Sequence, residues 1–183
     1  MIINAAGMAD EALHIASPNC DARPHDAVID LLVIHNISLP PGVFDGEAVT
    51  DLFMNRLDPA AHPYFEAIAG LRVSAHFFIR RDGALLQFVP CVLRAWHAGQ
   101  SSWCGRERCN DYSIGIELEG ADDVEFSAAQ YGRLGALSRA LHARYPVTAS
   151  VGHSDIAPGR KTDPGPYFDW SRYQASLRQP ENQ

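Results

Sequence analysis

Two histidines stand at or just after the ends of short apolar runs that have the composition of buried strands. His35 ends the run 28–34, and His153 follows the run 147–151 after one glycine. A carboxylate, Asp163, comes about ten residues later in a loop framed by proline and glycine. Two imidazoles and one carboxylate form the three-ligand set of a catalytic zinc site, which leaves a fourth position for water. Because spacing alone is weak evidence, two hydrogen-bonded strand-end histidines and a turn-capping aspartate remain the alternative interpretation.

Glu117 is an acid inside an otherwise apolar segment that alternates with period two. The alternation over residues 113–119 predicts a strand that places Glu117 and Gly115 on the same face. The glycine would leave room for a ligand there, and desolvation would raise the pKa of the acid toward the range useful for proton transfer. A solvent-facing glutamate on an exposed strand face is the common alternative.

Two further segments carry side chains that could bind a substrate. Residues 94–99 combine a cation, an indole and an imidazole, which suits a sugar-stacking wall or a core tryptophan with a hydrogen-bonded histidine. The charged loop 105–111, together with Arg72, is where guanidinium groups could grip carboxylates, although a solvated loop fits equally well. Cys104 and Cys109 have no second cysteine pair at zinc-finger spacing, so a metal site there is disfavoured.

The elements that must position these side chains alternate between strand and helix. Two apolar runs around an Asp-Gly turn predict a hairpin, and Ser127 followed by Gln130 is a capping box that begins a helix. We predict strands at 28–35, 113–119 and 147–151, a hairpin of 76–80 with 84–89, and helices near 47–55, 63–69, 127–145 and 169–177. The expected fold class is therefore α/β, a single domain with a mixed central sheet flanked by helices.

Composition excludes several classes of function. The 183 residues suffice for one domain, and 15 basic against 22 acidic residues give a net charge of −7. Such a chain is a poor match for nucleic acid or an anionic membrane. No apolar stretch is long enough to span a bilayer, and the first residues lack the basic start of a secretory signal. With only four cysteines, we expect a cytoplasmic protein, and we expect a monomer.

Taken together, the motifs resemble those of the amidase-2 (N-acetylmuramoyl-L-alanine amidase) family, in particular its AmpD-type branch of cytoplasmic anhydro-N-acetylmuramyl-L-alanine amidases. The resemblance covers roughly residues 17–175. It rests on the segments 32–42, 71–77, 94–99, 105–111, 114–120 and 152–166.

The resemblance implies the amidase-2 (peptidoglycan-recognition-like) fold with one Zn²⁺ ion bound by His35, His153 and Asp163. It implies hydrolysis of the amide between the lactyl group of anhydro-N-acetylmuramic acid and L-alanine of the stem peptide, during cell-wall recycling. Glu117 would be the general base, and Lys161 would face the oxyanion of the tetrahedral intermediate.

The resemblance also sets the expected domain limits and the partner of the protein. The amidase domain is expected at 17–177, with flanking tails at 1–16 and 178–183, and the partner is an anhydro-muramyl peptide. Four residues are candidates for contacting that substrate or for orienting a ligand, by their position in the motifs: Asn36, Arg72, Trp96 and Arg108.

Three other functions remain to be separated from this one. A non-catalytic peptidoglycan-binding module would share the fold but typically lacks a metal ligand. An envelope amidase would act on intact murein. A purely structural or regulatory protein would not need so many polar residues at strand ends.

Overall fold

A six-stranded mixed sheet lies at the centre of the computed structural model, which describes residues 1–178. Its order is β1-β5-β4-β9-β3-β10, and two small two-stranded sheets, β2-β6 and β7-β8, lie outside it. The strands are β1 Leu13–His14, β2 Cys20–Ala22, β3 Leu31–Ile37, β4 Phe77–Ile79, β5 Leu85–Gln87, β6 Leu93–Ala95, β7 Ser102–Trp103, β8 Arg106–Glu107, β9 Ser113–Glu119 and β10 Ala149–Gly152. The predicted single-domain mixed α/β fold is confirmed.

Five α-helices accompany the sheet in this part of the chain. They are α1 Ala48–Phe53, α2 Pro63–Ala67, α3 Ala128–Arg144, α4 His153–Ile156 and α5 Trp170–Leu177. Helix α3 begins at the predicted capping box, where the Gln130 backbone N–H donates to Ser127 Oγ over 3.1 Å and the Ser127 N–H donates to Gln130 Oε1 over 3.0 Å. These reciprocal bonds satisfy two N–H groups that a helix start leaves unpaired.

The two faces of the sheet differ because successive side chains of a strand point to opposite sides. On one face, Leu32 and Ile34 of β3 and Ile116 of β9 pack with α3 and α5 in the largest apolar cluster. Much of the other face packs against α1 and α2, but toward the carboxyl ends of β3 and β9 it carries His35 and Glu117. His35 and Glu117, the polar residues that could take part in catalysis, therefore lie at the carboxyl edge of this second face.

The sequence located most core elements but not all their limits. Strand β3 starts three residues later than predicted, because Val28 is 55% exposed, and it continues beyond His35 to Ile37. Strand β10 and helices α1, α2 and α5 also have limits that differ from the predicted ones by one to two residues. The predicted hairpin forms β4 and β5, with Gly83 at φ +87° in the turn.

Residues 1–16 were expected to be a flanking tail, whereas in the structure they pack against the sheet. Ala9 is fully buried and its N–H donates to Gln87 Oε1 over 2.8 Å. Ile3 is buried and forms an isolated antiparallel β-bridge with Ala9, and β1 pairs in parallel with β5. Isolated apolar residues joined by such short pairings leave no periodic pattern to detect. The expected tail 178–183 lies outside the described residues except for Arg178.

Candidate metal centre and active site

The parallel pairing of β3 with β10 brings two histidines 118 positions apart into contact. Ile34 pairs with Gly152, so His35 and His153 each follow a paired residue at the same level of the sheet. Their Nδ1 atoms are 3.0 Å apart, and Asp163 Oδ2 lies 3.0 Å from His35 Nδ1 and 3.1 Å from His153 Nδ1. The structure thus brings together all three residues predicted as metal ligands.

The protonation of this cluster suits a cation. His153 Nε2 lies 3.1 Å from the Ala98 carbonyl, which can only accept, so the imidazole carries its proton on Nε2 and has a lone pair on Nδ1. Burial lowers the pKa of His35 to about 4, which keeps that ring neutral at pH 7. Burial raises the pKa of Asp163, but its interactions with His153 and His35 outweigh that effect and hold the pKa below its usual range.

The spacing of the donor atoms also suits zinc. Ligands about 2.0–2.1 Å from a tetrahedral ion lie roughly 3.3 Å from one another, close to the separations of 3.0 and 3.1 Å found here. Two imidazoles and a carboxylate are a donor set that zinc takes in catalytic sites. The residues present therefore fit the implied ion.

Glu117 lies beside this cluster, in a cleft and not in solvent. It is the register partner of His35 in the β3-β9 ladder, and its Oε1 is 4.0 Å from His35 Nδ1. Its side chain is buried, and among residues 1–178 its Oε2 has no hydrogen-bond partner. Burial raises the pKa of Glu117 well above its ordinary value, the charge of Asp163 raises it further, and Lys161 opposes the rise. An acid in this state can hold or release a proton during a reaction.

A cavity of about 510 Å³ opens over these residues. Its polar part contains Glu117, Lys161 and Asp163 together with His97 and His153, and its opposite wall is apolar. The apolar wall comes from α1, α2 and the segments around them and includes Leu39, Leu52, Phe53, Tyr64, Ile68 and Leu71. A cavity with one reactive polar side and one apolar side suits a ligand of mixed character.

Asn36 lines this cavity, and its amide supports the loop that carries Asp163. Asn36 Nδ2 donates to Asp122 Oδ1 over 2.7 Å and to the Pro164 carbonyl over 3.1 Å. Both donors of the amide are thus engaged with the protein. That Asn36 orients a metal ligand or contacts substrate stays a prediction.

The three other candidates for substrate contact lie outside the lining of the cavity. Arg72 is exposed beside a separate small cavity, and Trp96 is half-buried near β6. Arg108 has a left-handed backbone (φ +60°), pairs with Asp111 over 3.2 Å and lines a neighbouring cavity of about 370 Å³. The sequence put these residues near the site through motif position, which does not specify where a side chain points. Their roles stay predictions.

Sequence reasoning did not assign His97 to the metal centre, although the structure places it against His35. His97 Nδ1 lies 2.9 Å from His35 Nε2, and burial lowers the pKa of His97 well below its ordinary value, which keeps the ring neutral. The available signal was the alternation of β9, which puts Ser113 and Gly115 on the face of Glu117 and leaves space beside a glycine. The cysteines Cys104 and Cys109 take no part in the cluster.

Comparison with known proteins settles the family. The model of the N-acetylmuramoyl-L-alanine amidase family matches residues 25–166, more than half of the chain. The chain belongs to the N-acetylmuramoyl-L-alanine amidase family. The matched segment contains His35, His153, Asp163, Glu117 and Lys161.

This amidase is similar over nearly its whole length to characterised members of the family. It is 58% identical to the 1,6-anhydro-N-acetylmuramyl-L-alanine amidase AmpD of Citrobacter freundii, over 92% of this chain and 91% of that protein. It is also 58% identical to AmpD of Escherichia coli K12, over 88% of this chain and 90% of that protein.

Solved structures share the fold of this amidase. A crystal structure of a selenomethionine AmpD derivative superposes with a TM-score of 0.94 at 56% identity, covering 96% of this chain and 99% of that one. AmiD of Escherichia coli, in complex with the substrate anhydro-N-acetylmuramic acid-L-Ala-D-γ-Glu-L-Lys, gives a TM-score of 0.60 at 32% identity, covering 85% of this chain and 60% of that one. Within residues 1–178, no helix has the length and apolar character required to cross a bilayer.

Proposed function

We propose that this amidase uses one zinc ion to hydrolyse the lactyl–L-alanine amide of anhydro-N-acetylmuramyl peptides, a step of cell-wall recycling. One observation carries the proposal: three metal-ligating atoms converge next to a buried acid that has an unpaired oxygen. The similarity to AmpD over nine-tenths of both chains supports the choice of substrate.

His35, His153 and Asp163 would hold the ion. When bound, zinc supplies Lewis-acid activation of a water molecule and of the substrate carbonyl. Because the two imidazoles are neutral ligands and Asp163 contributes one negative charge, the site keeps net positive charge for this purpose.

Glu117 would move the proton. Its carboxylate accepts a proton from the attacking water and then delivers it to the departing amine of L-alanine. Burial and the nearby charge of Asp163 raise its pKa, which makes the carboxylate a stronger base than an exposed glutamate.

Lys161 would stabilise the negative charge that develops on the carbonyl oxygen. It lines the same cavity as Glu117, and its charge acts on both Glu117 and His35. A group aimed at a developing oxyanion contributes roughly 3 kcal/mol of transition-state stabilisation. One cation and one acid beside the metal thus divide the work between oxyanion and proton.

The test is mass spectrometry of the products formed from anhydro-N-acetylmuramyl tripeptide, run with metal analysis of the protein. We expect free tripeptide and anhydro-N-acetylmuramic acid, no products after chelation, and recovery on adding zinc. Asp163→Ala should lose both zinc and activity, while Asp26→Ala, at a fully exposed acid, should keep both. Full zinc occupancy in Asp163→Ala would exclude Asp163 as a ligand, and an unreactive tripeptide with zinc-loaded protein would exclude the proposed reaction.

The same assay separates the alternatives. Faster hydrolysis of whole sacculi than of anhydro-muropeptides would indicate an envelope murein amidase, and binding without turnover would indicate a recognition module. The cytoplasmic location and monomeric state remain predictions. Adding reductant should leave the free energy of unfolding unchanged, and light scattering should give the mass of one chain.

A further inference from the structure

Two consecutive residues that follow β6 contact both histidines of the metal centre from behind. His97 Nδ1 lies 2.9 Å from His35 Nε2, and the Ala98 carbonyl oxygen lies 3.1 Å from His153 Nε2. The ring nitrogens on the far side from the cluster therefore meet one short stretch of chain. Partners of this kind fix how a ligand imidazole is oriented.

The His97–Ala98 stretch is itself held in place. The backbone N–H groups of His97 and Ala98 both donate to Asn110 Oδ1, over 3.1 and 2.8 Å. The Ala98 carbonyl also accepts a bond from Arg160 Nη2 over 2.7 Å. With these bonds made, the stretch is a fixed support for the imidazoles in front of it.

Strand β9 makes room for the His97 ring and bonds to its far side. Ser113 Oγ lies 3.1 Å from His97 Nε2. A Cβ atom added to Gly115 would lie 2.4 Å from His97 Cγ, which is too close for any real contact. The glycine at this position therefore leaves space for the His97 ring, which lies nearly perpendicular to the His35 ring.

One arrangement of protons satisfies the whole chain of contacts. If Nδ1 of His35 binds an ion, its proton resides on Nε2 and is donated to His97 Nδ1. The proton of His97 then resides on Nε2 and is donated to Ser113 Oγ. Along the series His35–His97–Ser113, each N–H donor therefore faces an acceptor.

We infer that His97 is a positioning residue that fixes the ring orientation and the tautomer of His35 for metal binding. The inference rests on the metal site of the proposed function. A neutral imidazole in this place adds no negative charge, so Asp163 is the one anionic member of the proposed ligand set. Removing an outer partner of a ligating histidine typically lowers metal affinity about 10–100-fold.

The first experiment measures the zinc dissociation constant by competition with a chelator, in the wild type, His97→Leu and His97→Asn. Leucine fills the space without an acceptor, whereas asparagine Oδ1 can accept a bond near the position of Nδ1. We expect a 10–100-fold loss of affinity in His97→Leu, recovery of most of it in His97→Asn, and no change in His25→Leu, whose histidine is fully exposed.

The outcomes of this experiment are distinguishable. Equal affinity in His97→Leu and the wild type would overturn the positioning role, as would equal losses in the leucine and asparagine variants. A wild type that binds no zinc would instead overturn the metal site of the proposed function.

A second measurement needs no variant and decides the matter if His97→Leu fails to fold. Nitrogen-15 chemical shifts of the zinc-loaded wild type report which ring nitrogen of each histidine carries a proton. We expect His35 and His97 to be protonated on Nε2 only. A proton on His97 Nδ1 would overturn the inference, because that nitrogen could then accept no bond from His35.

Discussion

Glu117 and Glu119 lie on the same face of β9, two residues apart, and differ in what their oxygens meet. Glu119 accepts a backbone N–H on each oxygen, from Asp45 and from Arg81, both over 2.9 Å. Glu117 is also buried, but its Oε2 has no partner within residues 1–178. A fully bonded buried acid joins loops together, whereas an unpaired one is costly to folding and available for chemistry.

The largest expected difference between the two acids is in their effect on kcat. Glu117→Gln keeps the shape of the side chain but cannot transfer a proton, so we expect kcat to fall about 10²–10⁴-fold with zinc retained. Steady-state kinetics with metal analysis measures both quantities. A nearly normal kcat would remove Glu117 as the base and leave the two acids functionally alike.

The matching change at the other acid should act on stability. Glu119→Gln replaces one acceptor oxygen by an NH₂ group that faces a backbone N–H, so we expect a loss of about 1–3 kcal/mol in the free energy of unfolding. Urea denaturation of the metal-free protein measures it. An unchanged midpoint would contradict the role of Glu119 in holding the loops at Asp45 and Arg81.

A smaller effect is expected on how stability depends on pH, and it arises from Glu117. Because the pKa of Glu117 is raised by burial, its contribution to stability is full below the unfolded pKa of about 4.5 and is lost as pH rises. Glu117→Gln should therefore stabilise the metal-free protein at pH 7 and have little effect near pH 4. Thermal unfolding at the two pH values tests this; a loss of stability at pH 7 would contradict the unpaired state of the acid.

The smallest effect is expected at Arg108, an exposed cation outside the cavity. Its ion pair with Asp111 is at the surface, and such contacts contribute at most about 1 kcal/mol. Arg108→Ala should raise KM about two- to fivefold and leave kcat unchanged. An unchanged KM would exclude Arg108 from substrate binding and confine recognition to the cavity.

The sequence was sufficient for the parts of the molecule in which local pattern and long-range structure agree. Continuous apolar runs and alternation located β3 and β9, and their residues His35 and Glu117 are neighbours through the register of the sheet. Alternation could not distinguish Glu117 from Glu119, because their difference lies in backbone groups contributed by distant loops.

Other features left no local signal. Strands β1 and β2 have two and three residues, too few for a period, so the packing of the N-terminal segment was missed. The contact of His97 with His35 depends on a bond across 62 positions and on space beside Gly115. Such contacts follow from the packed fold and not from neighbouring residues in the chain.

His35 and His153 are 118 positions apart in the chain, so ion binding at these residues depends on the whole native fold. Only the native chain holds these side chains together, so zinc at 100 times its dissociation constant adds about 2.7 kcal/mol to the free energy of unfolding. The temperature midpoint of unfolding then shifts with zinc concentration. A thermal scan can therefore rank metal affinities of variants without any substrate.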